Sequence, residues 1–414
     1  MIKETTLPNG LRIMTESVPY VQSVSIGLWA DAGTRNEDES NRGISHFIEH
    51  MLFKGTERHS ARDIADIFDS LGGQLNAFTE KEFTCYYAKV LNEHLHTALD
   101  ILADMVLNSL LDPKEIELEK KVVLEEIKRH EDTPDDLVHD LFADTVWNEH
   151  PLGRPVLGTA KTVAALSRED LTNYLAANYA PNSIVISAAG NLVHEDLVQQ
   201  VTDLFGSRQG SRSLVKRFPT VFKGKSMEIK KPTEQVHFCL GTRGYSHQDW
   251  EKYPLAIIDA TLGGGLSSRL FQEIRENRGL AYAIGSYLVA HREGGFFTVY
   301  GGTSMENLEE VLSLTRKELA NVLQSNISDD ELMRAKNQIR GGLVLGLEGM
   351  TSRMIRMAKS QLYYGRIVPI EEIIDAVLKV SHEDIEAVAQ QIFDVESFPI
   401  VAVGPFDGRK VECG

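Results

Sequence analysis

Cysteine is scarce in this 414-residue chain: Cys85, Cys239 and Cys413 stand far apart and form no CxxC. Neither a disulfide framework nor a Cys-ligated metal site is indicated, and a reducing compartment is the simplest setting. No apolar run approaches the roughly 20 residues that span a bilayer. The N-terminal MIKETTLPNGLRIMTE lacks the basic start and long apolar core of an export signal. The expectation is a soluble, cytoplasmic protein with no membrane partner. Basic residues are also outnumbered, Lys+Arg 43 against Asp+Glu 60, for a formal net charge of −17. Nucleic-acid phosphates and anionic lipid reward clustered Lys and Arg, so nucleic acid is excluded as an expected partner and basic partners are favoured.

What the chain does have is length for two domains of about 200 residues. It opens as a strand, a turn at Pro8-Asn9-Gly10 and a second strand; the β-rich VSIGLWADAG follows at 24–33. GISHFIEHMLFKG (43–55) has helical spacing, with Ile44, Phe47, Ile48 and Met51 on one side. Ser60-x-x-Asp63 is a capping box for the next helix, which stops at Gly72-Gly73. Strands QLNAFTEK (74–81) and FTCYYAKV (83–90) precede helices at about 95–110 and 113–131.

After the polar, basic stretch GSRQGSRSLVKRFPT (206–220), the pattern starts again. VHFCLGTRG (236–244) answers VSIGLWADA, LAIIDATL (255–262) answers GISHFIEHML, and FFTVYGGTS (296–304) answers FTCYYAKVL. ISDDELMRAKNQIRGGL (327–343) likewise answers LDPKEIELEKKVVLEEI (111–127). Four matches in one order predict an internal repeat. The expected fold is α+β: two homologous α/β-sandwich domains, 1–207 and 223–414, joined by a linker at 208–222. Each is expected to be a mostly antiparallel sheet with packed helices.

His46-Phe47-Ile48-Glu49-His50 is the most specific local feature. On a helix, His46 and His50 stand one turn apart, so both imidazoles can reach one metal ion. Glu49 borders the same face, where a carboxylate can sit beside the attacking water rather than on the metal. The bland alternative is two histidines on the wet side of an amphipathic helix, and a third ligand should decide. Candidates on the 113–131 helix are Glu115, Glu117, Glu119, Glu125 and Glu126, with Ile116, Val122, Val123 and Ile127 marking its buried face. Glu119 and Glu126, seven residues apart, share one stripe. A solvated acidic helix is the alternative there.

His46-x-x-Glu49-His50 is the inverted zinc motif, and Glu126 lies 76 residues beyond His50 with Glu119 one E-x6-E step earlier. The combination resembles the pitrilysin/insulinase family of zinc peptidases. Gly72-Gly73-Gln74-Leu75-Asn76-Ala77-Phe78-Thr79, His150-Pro151-Leu152-Gly153 and Arg275-x6-Tyr282 follow in the family's order, so the likeness spans nearly the whole chain. It is similar to the short bacterial members that resemble the β subunit of mitochondrial processing peptidase, with a LuxS/metallopeptidase-like fold. The resemblance implies a zinc endopeptidase with one Zn2+ per chain held by His46, His50 and Glu126; Co2+ or Mn2+ could substitute. It implies Glu49 as general base and Glu119 as a support for a ligand histidine or the water.

The resemblance also sets Asn76, Ala77 and Phe78 beside the scissile bond, Ala77 through its backbone. The alternation of QLNAFTEK suits an edge strand that adds an extended peptide. Arg275 and Tyr282 would hold the substrate backbone and the developing oxyanion. With half the family's four-domain enclosure, the chain is expected to form a homodimer in which these two act in trans. Asp136 and Asp140, one turn apart if the helix continues, would receive a basic side chain of the peptide; plain solvation is the alternative. Ile257, Ala260 and Thr261 stand opposite His46, Glu49 and His50, with Gly342 opposite Glu126, so the second domain is expected to hold no metal. Two other classes fit parts of the same pattern: a catalytically silent peptide-binding or scaffold protein of this fold, and a non-haem iron oxygenase, which also uses two His and one carboxylate.

Overall fold

The computed structural model describes residues 2–147, 150–212, 218–325 and 327–406. Cys413 and the centre of the expected linker, 213–217, lie outside them. In the first half the strands are β1 (Ile2–Thr6), β2 (Arg12–Ser17), β3 (Ser23–Ala30), β4 (Gln74–Thr79), β5 (Thr84–Leu91) and β6 (Ile184–Gly190). The helices are α1 (Ile44–Leu52), α2 (Ala61–Ser70), α3 (Leu95–Asn108), α4 (Pro113–Glu131), α5 (Pro134–Trp147), α6 (Ala160–Ala165), α7 (Arg168–Asn178) and α8 (His194–Phe205). The second half holds β7 (Met227–Lys230), β8 (Val236–Gly244), β9 (Ala281–Ala290), β10 (Gly295–Thr303) and β11 (Ile400–Gly404). Its helices are α9 (Lys252–Leu262), α10 (Leu308–Ser325), α11 (Asp329–Gly346), α12 (Met350–Tyr364), α13 (Ile370–Lys379) and α14 (His382–Ile392). Among the described residues no helix is long and apolar enough to cross a membrane.

The chain forms two compact units, each drawing on both halves: residues 1–128, 154–216 and 346–368 in the first, and 129–153, 217–345 and 369–414 in the second. In the first unit the strand order is β1-β2-β6-β3-β5-β4, and in the second β7-β11-β8-β10-β9. The repeat read in the sequence is therefore a repeat of topology. β6-β3-β5-β4 matches β11-β8-β10-β9, and the parallel pair β2/β6 matches β7/β11, every other pairing being antiparallel.

Both faces of each sheet are covered, which explains the nearly continuous burial of β3, β6, β10 and β11. In the first unit, Val24, Ile26, Leu28 and Ala30 face the large core built with α1, α3 and α8, while Trp29 faces Met354, Met357 and Ala358 of α12. A Cβ on Gly27 would come within 2.7 Å of the Met354 sulfur, so the missing side chain seats that helix. In the second unit α5 takes the corresponding place. A Cβ on Gly241 would meet the Phe142 ring at 2.8 Å, and Phe142 packs edge-on against Phe296 at 5.4 Å. Each unit is thus completed by a helix from the other half of the chain.

Candidate metal centre

Helix α1 forms because Ile44, Phe47, Ile48 and Met51 recur at helical spacing and are wholly buried in the first unit's core. That fixes its rotation and turns His46, Glu49 and His50 to the remaining side. The His46 and His50 rings lie 4.5 Å apart. Helix α4 buries Ile116, Val123 and Ile127, whereas Val122, expected on that face, is 51% exposed. With this rotation Glu119 and Glu126 face α1. Glu126 Oε2 stands 3.8 Å from His46 Nε2 and 3.7 Å from His50 Nε2.

One ligand atom from each of His46, His50 and Glu126 lies within 4.8 Å of the others, the one such cluster of three among the described residues. Tetrahedral zinc with ligands near 2.0–2.1 Å needs donor separations of about 3.3–3.5 Å, a small contraction of this cluster. Two neutral imidazoles and one carboxylate also suit zinc chemically. Burial, with His50 adjoining, holds the His46 imidazole down to about 3, so it stays neutral and free to ligate.

Glu119 is buried and lies beside the ligands. Its Oε1 accepts from His50 Nδ1 at 2.8 Å and its Oε2 binds Lys54 Nζ at 2.5 Å. A proton fixed on Nδ1 leaves the Nε2 lone pair toward Glu126. Burial opposes the charge of Glu119, but the His50 and Lys54 bonds prevail and its carboxyl is lowered. For His50 burial opposes protonation, but the bond to Glu119 together with the charges of Glu119, Glu126 and Glu49 outweighs it, giving a net rise. Glu49 holds neither histidine; it accepts from Thr79 Oγ1 at 2.5 Å, and burial raises its carboxyl above the ordinary range.

Thr79 ends β4, the edge strand of the first sheet. On β4 the exposed Asn76 accepts the Ala77 N–H through its own Oδ1 at 2.8 Å. Leu75 and Ala77 pack toward the α1 side, whereas Phe78 lies on the opposite face, edge-on to Trp29 at 5.5 Å and Tyr87 at 6.0 Å. The Phe78 ring is therefore part of the packing under α12.

The remaining candidates lie in the second unit. Arg275 belongs to a π-helical turn, Phe271–Glu276, and its guanidinium lies 4.7 Å from the Phe271 ring centre and 4.9 Å from that of Tyr282. Tyr282 is 77% exposed at a bulge of β9, where the register against β10 shifts. Such a bulge re-aims a side chain. The helix carrying Glu126 ends at Glu131, and Asp136 and Asp140 lie on the separate helix α5; Asp136 is exposed, and Asp140 lies 3.4 Å from His130 Nε2. At the second-half positions that align in sequence with His46, His50 and Glu126, Ile257 and Thr261 are buried in α9 and Gly342 lies on α11.

Three residues at this centre escaped the sequence reading. Thr79 was visible only through its alternation with Ala77, and Lys54 only through its four-residue spacing from His50. Glu37 carried no local signal, yet it is buried and burial pushes its carboxyl up to about 7 against two backbone hydrogen bonds.

A helix-borne His-x-x-Glu-His beside a glutamate from a second helix, on an α/β sandwich that the chain builds twice, defines the class as a duplicated metallopeptidase fold. Residues 12–160 match the model of the insulinase family, peptidase family M16, and residues 165–339 that of the peptidase M16 inactive domain. An uncharacterized zinc protease of Bacillus subtilis, YmxG, is 42% identical over 98% of both chains. One of Streptomyces coelicolor is 40% identical over 94% of this chain and 87% of its own. The chain belongs to peptidase family M16. In fold it is similar to a peptidase M16 inactive domain from Pseudomonas fluorescens (TM-score 0.91, 20% identity, 99% of both chains). It is likewise similar to a protease from Helicobacter pylori (TM-score 0.87, 21% identity, 97% of this chain and 99% of that one).

Proposed function

We propose that this chain is a zinc-dependent endopeptidase that cleaves extended peptides in the manner of a processing peptidase. The observation that carries the reading is the convergence of His46, His50 and Glu126 with Glu49 next to them and uncommitted to either histidine. His46, His50 and Glu126 would hold one zinc ion per chain, with cobalt or manganese accepted by the same donors. Bound zinc supplies a Lewis acid that lowers the pKa of water to about 7 and polarises the scissile carbonyl.

Glu49 takes the proton of the attacking water and delivers it to the leaving amine. Its raised carboxyl suits both halves of that cycle, and Thr79 orients it through one oxygen. Glu119 keeps His50 in its ligating tautomer. The free edge of β4 adds the substrate as a further strand, with Asn76 and Ala77 as its nearest contacts and Phe78 as packing beneath them. Arg275 and Tyr282, from the second subunit of a homodimer, hold the substrate backbone and the oxyanion. Asp136 and Asp140 favour basic peptides.

The catalytically silent alternative is disfavoured by retention of all three ligands and Glu49. An oxygenase reading is disfavoured by i, i+4 helical ligands. Metal analysis of the purified protein, with a quenched-peptide assay before and after chelation and zinc replacement, separates the three. Stoichiometric zinc and zinc-restored cleavage are expected. Metal without cleavage would favour the silent reading, and bound iron the oxygenase.

A further inference from the structure

Helix α1 begins under an unusual constraint. Its N-cap, Gly43, is in the left-handed region at φ +90, and a Cβ there would come within 2.7 Å of the Leu157 carbonyl oxygen. Only glycine fits, so the position where Ser, Thr or Asp would normally accept the first N–H groups of a helix has no side chain to do so. Two donors at this end of the helix are nonetheless satisfied from elsewhere. Glu37, six residues upstream, accepts from Gly43 N–H through Oε2 at 2.8 Å and from Ser45 N–H through Oε1 at 2.9 Å.

The backbone that carries Glu37 is itself held. Arg154, also buried, donates through Nη1 to the Glu37 carbonyl and through Nη2 to Glu39 at 2.6 Å. Ser45 is fixed from its other side by a hydroxyl bond with Tyr174 at 2.8 Å, and Tyr174 donates to the Gly33 carbonyl at 3.2 Å. Two bonds from successive parts of the turn to one carboxyl group determine the position and the direction of the first turn. Ser45 immediately precedes His46, so a change in that turn moves the first ligand directly and Glu49 and His50 through the helix.

We propose that Glu37 is the positioning residue of the metal helix: its carboxylate clamps the first turn of α1 and thereby sets where His46, Glu49 and His50 stand. The proposal rests on the metal centre described above. It does not make Glu37 a ligand or a proton carrier, since its oxygens are spent on backbone donors.

The test compares Glu37→Gln with Asp104→Asn. Asp104 is a buried carboxylate of the same unit that binds Thr56 and Arg58. Glu37→Gln keeps the shape but offers one acceptor where two are used. Zinc affinity is measured by chelator competition, and the visible spectrum is recorded for the Co2+-substituted proteins. In Glu37→Gln the zinc dissociation constant is expected to rise at least about tenfold, as for other residues that orient ligands, and the cobalt bands to shift. Asp104→Asn is expected to lose melting temperature while keeping both metal readouts. Should Glu37→Gln not fold, Glu37→Asp keeps the charge but reaches only one N–H, and a smaller weakening of the same sign is expected. Wild-type affinity and cobalt spectrum in the Glu37 variants would overturn the proposal. Equal metal defects in Asp104→Asn would overturn it too, by reducing the effect to general destabilisation. Failure of the wild-type protein to take up zinc would overturn the metal centre itself, and is distinguished because it precedes any variant.

Discussion

The Nδ1 of His50 lies 2.8 Å from Glu119 Oε1, and the second oxygen of that carboxylate holds Lys54 at 2.5 Å. One buried side chain on α4 thus orients a candidate ligand on α1 and is itself charge-balanced from just beyond the end of that helix. Glu119→Gln is expected to weaken zinc binding by about 10–100-fold, the usual loss when a partner of a ligand histidine is removed. Glu126→Gln, which removes a donor, is expected to abolish stoichiometric zinc. Chelator competition measures both, and equal affinities for the two variants would contradict the assigned roles.

The pH dependence of stability follows from Glu37. Burial raises its folded pKa from 4.5 to about 7. Between those values the folded chain binds a proton that the unfolded chain has released. The contribution of Glu37 is therefore present in full below about pH 4.5 and is lost as the pH rises to about 7, by about 3 kcal/mol in the limit. Subtracting the stability of Glu37→Gln from that of the wild type isolates this titration. The difference is expected to fall with rising pH across that window. A flat or rising difference in denaturation curves would contradict the burial assigned to this carboxyl.

The helix that each half lends to the other unit is a stability element. Met354 of α12 is fully buried over Trp29 and Gly27, and Ser187 Oγ donates to the Met354 carbonyl at 2.8 Å. Met354→Ala is expected to cost about 2–5 kcal/mol, the range for large-to-small changes in a core. Met333→Ala, at a site 60% exposed, is expected to stay within about 0.5 kcal/mol. Urea denaturation of both variants checks the contrast.

Action in trans by Arg275 and Tyr282 predicts complementation. Glu49→Gln and Arg275→Ala are each expected to be nearly inactive. Subunit exchange between them should restore about a quarter of wild-type activity, because half of the randomly formed dimers carry one intact site of two. No recovery after demonstrated exchange would contradict the shared-site proposal.

Much of the fold was legible because it is local. Ile44, Phe47, Ile48 and Met51 specify both a helix and its buried face, and Ser60 with Asp63 forms the capping box that opens α2. The duplicated topology was readable from four ordered matches. Val122 was misplaced because adjacent helical positions differ by about 100°, so Val123 being buried does not bring Val122 with it. The exchange of α5 and α12 was not legible at all. The spacing of Met354, Met357 and Ala358 announces a buried face but not the sheet that receives it. Phe78 shows the same limit: alternation separates it from Ala77 and Thr79, yet only the folded sheet tells which face meets Glu49. Glu37 was hidden for another reason, since its partners are backbone N–H groups and these leave no mark in a sequence.

The most direct measurement is a paired determination of zinc content and peptide turnover in Glu49→Gln. The account predicts one zinc per chain, as in the wild type, with turnover reduced by at least about 10²–10⁴-fold, the range supplied by a positioned general base. Undiminished cleavage by the zinc-loaded variant would contradict the role of Glu49 as base. Loss of the metal together with activity would contradict its placement beside the metal rather than on it.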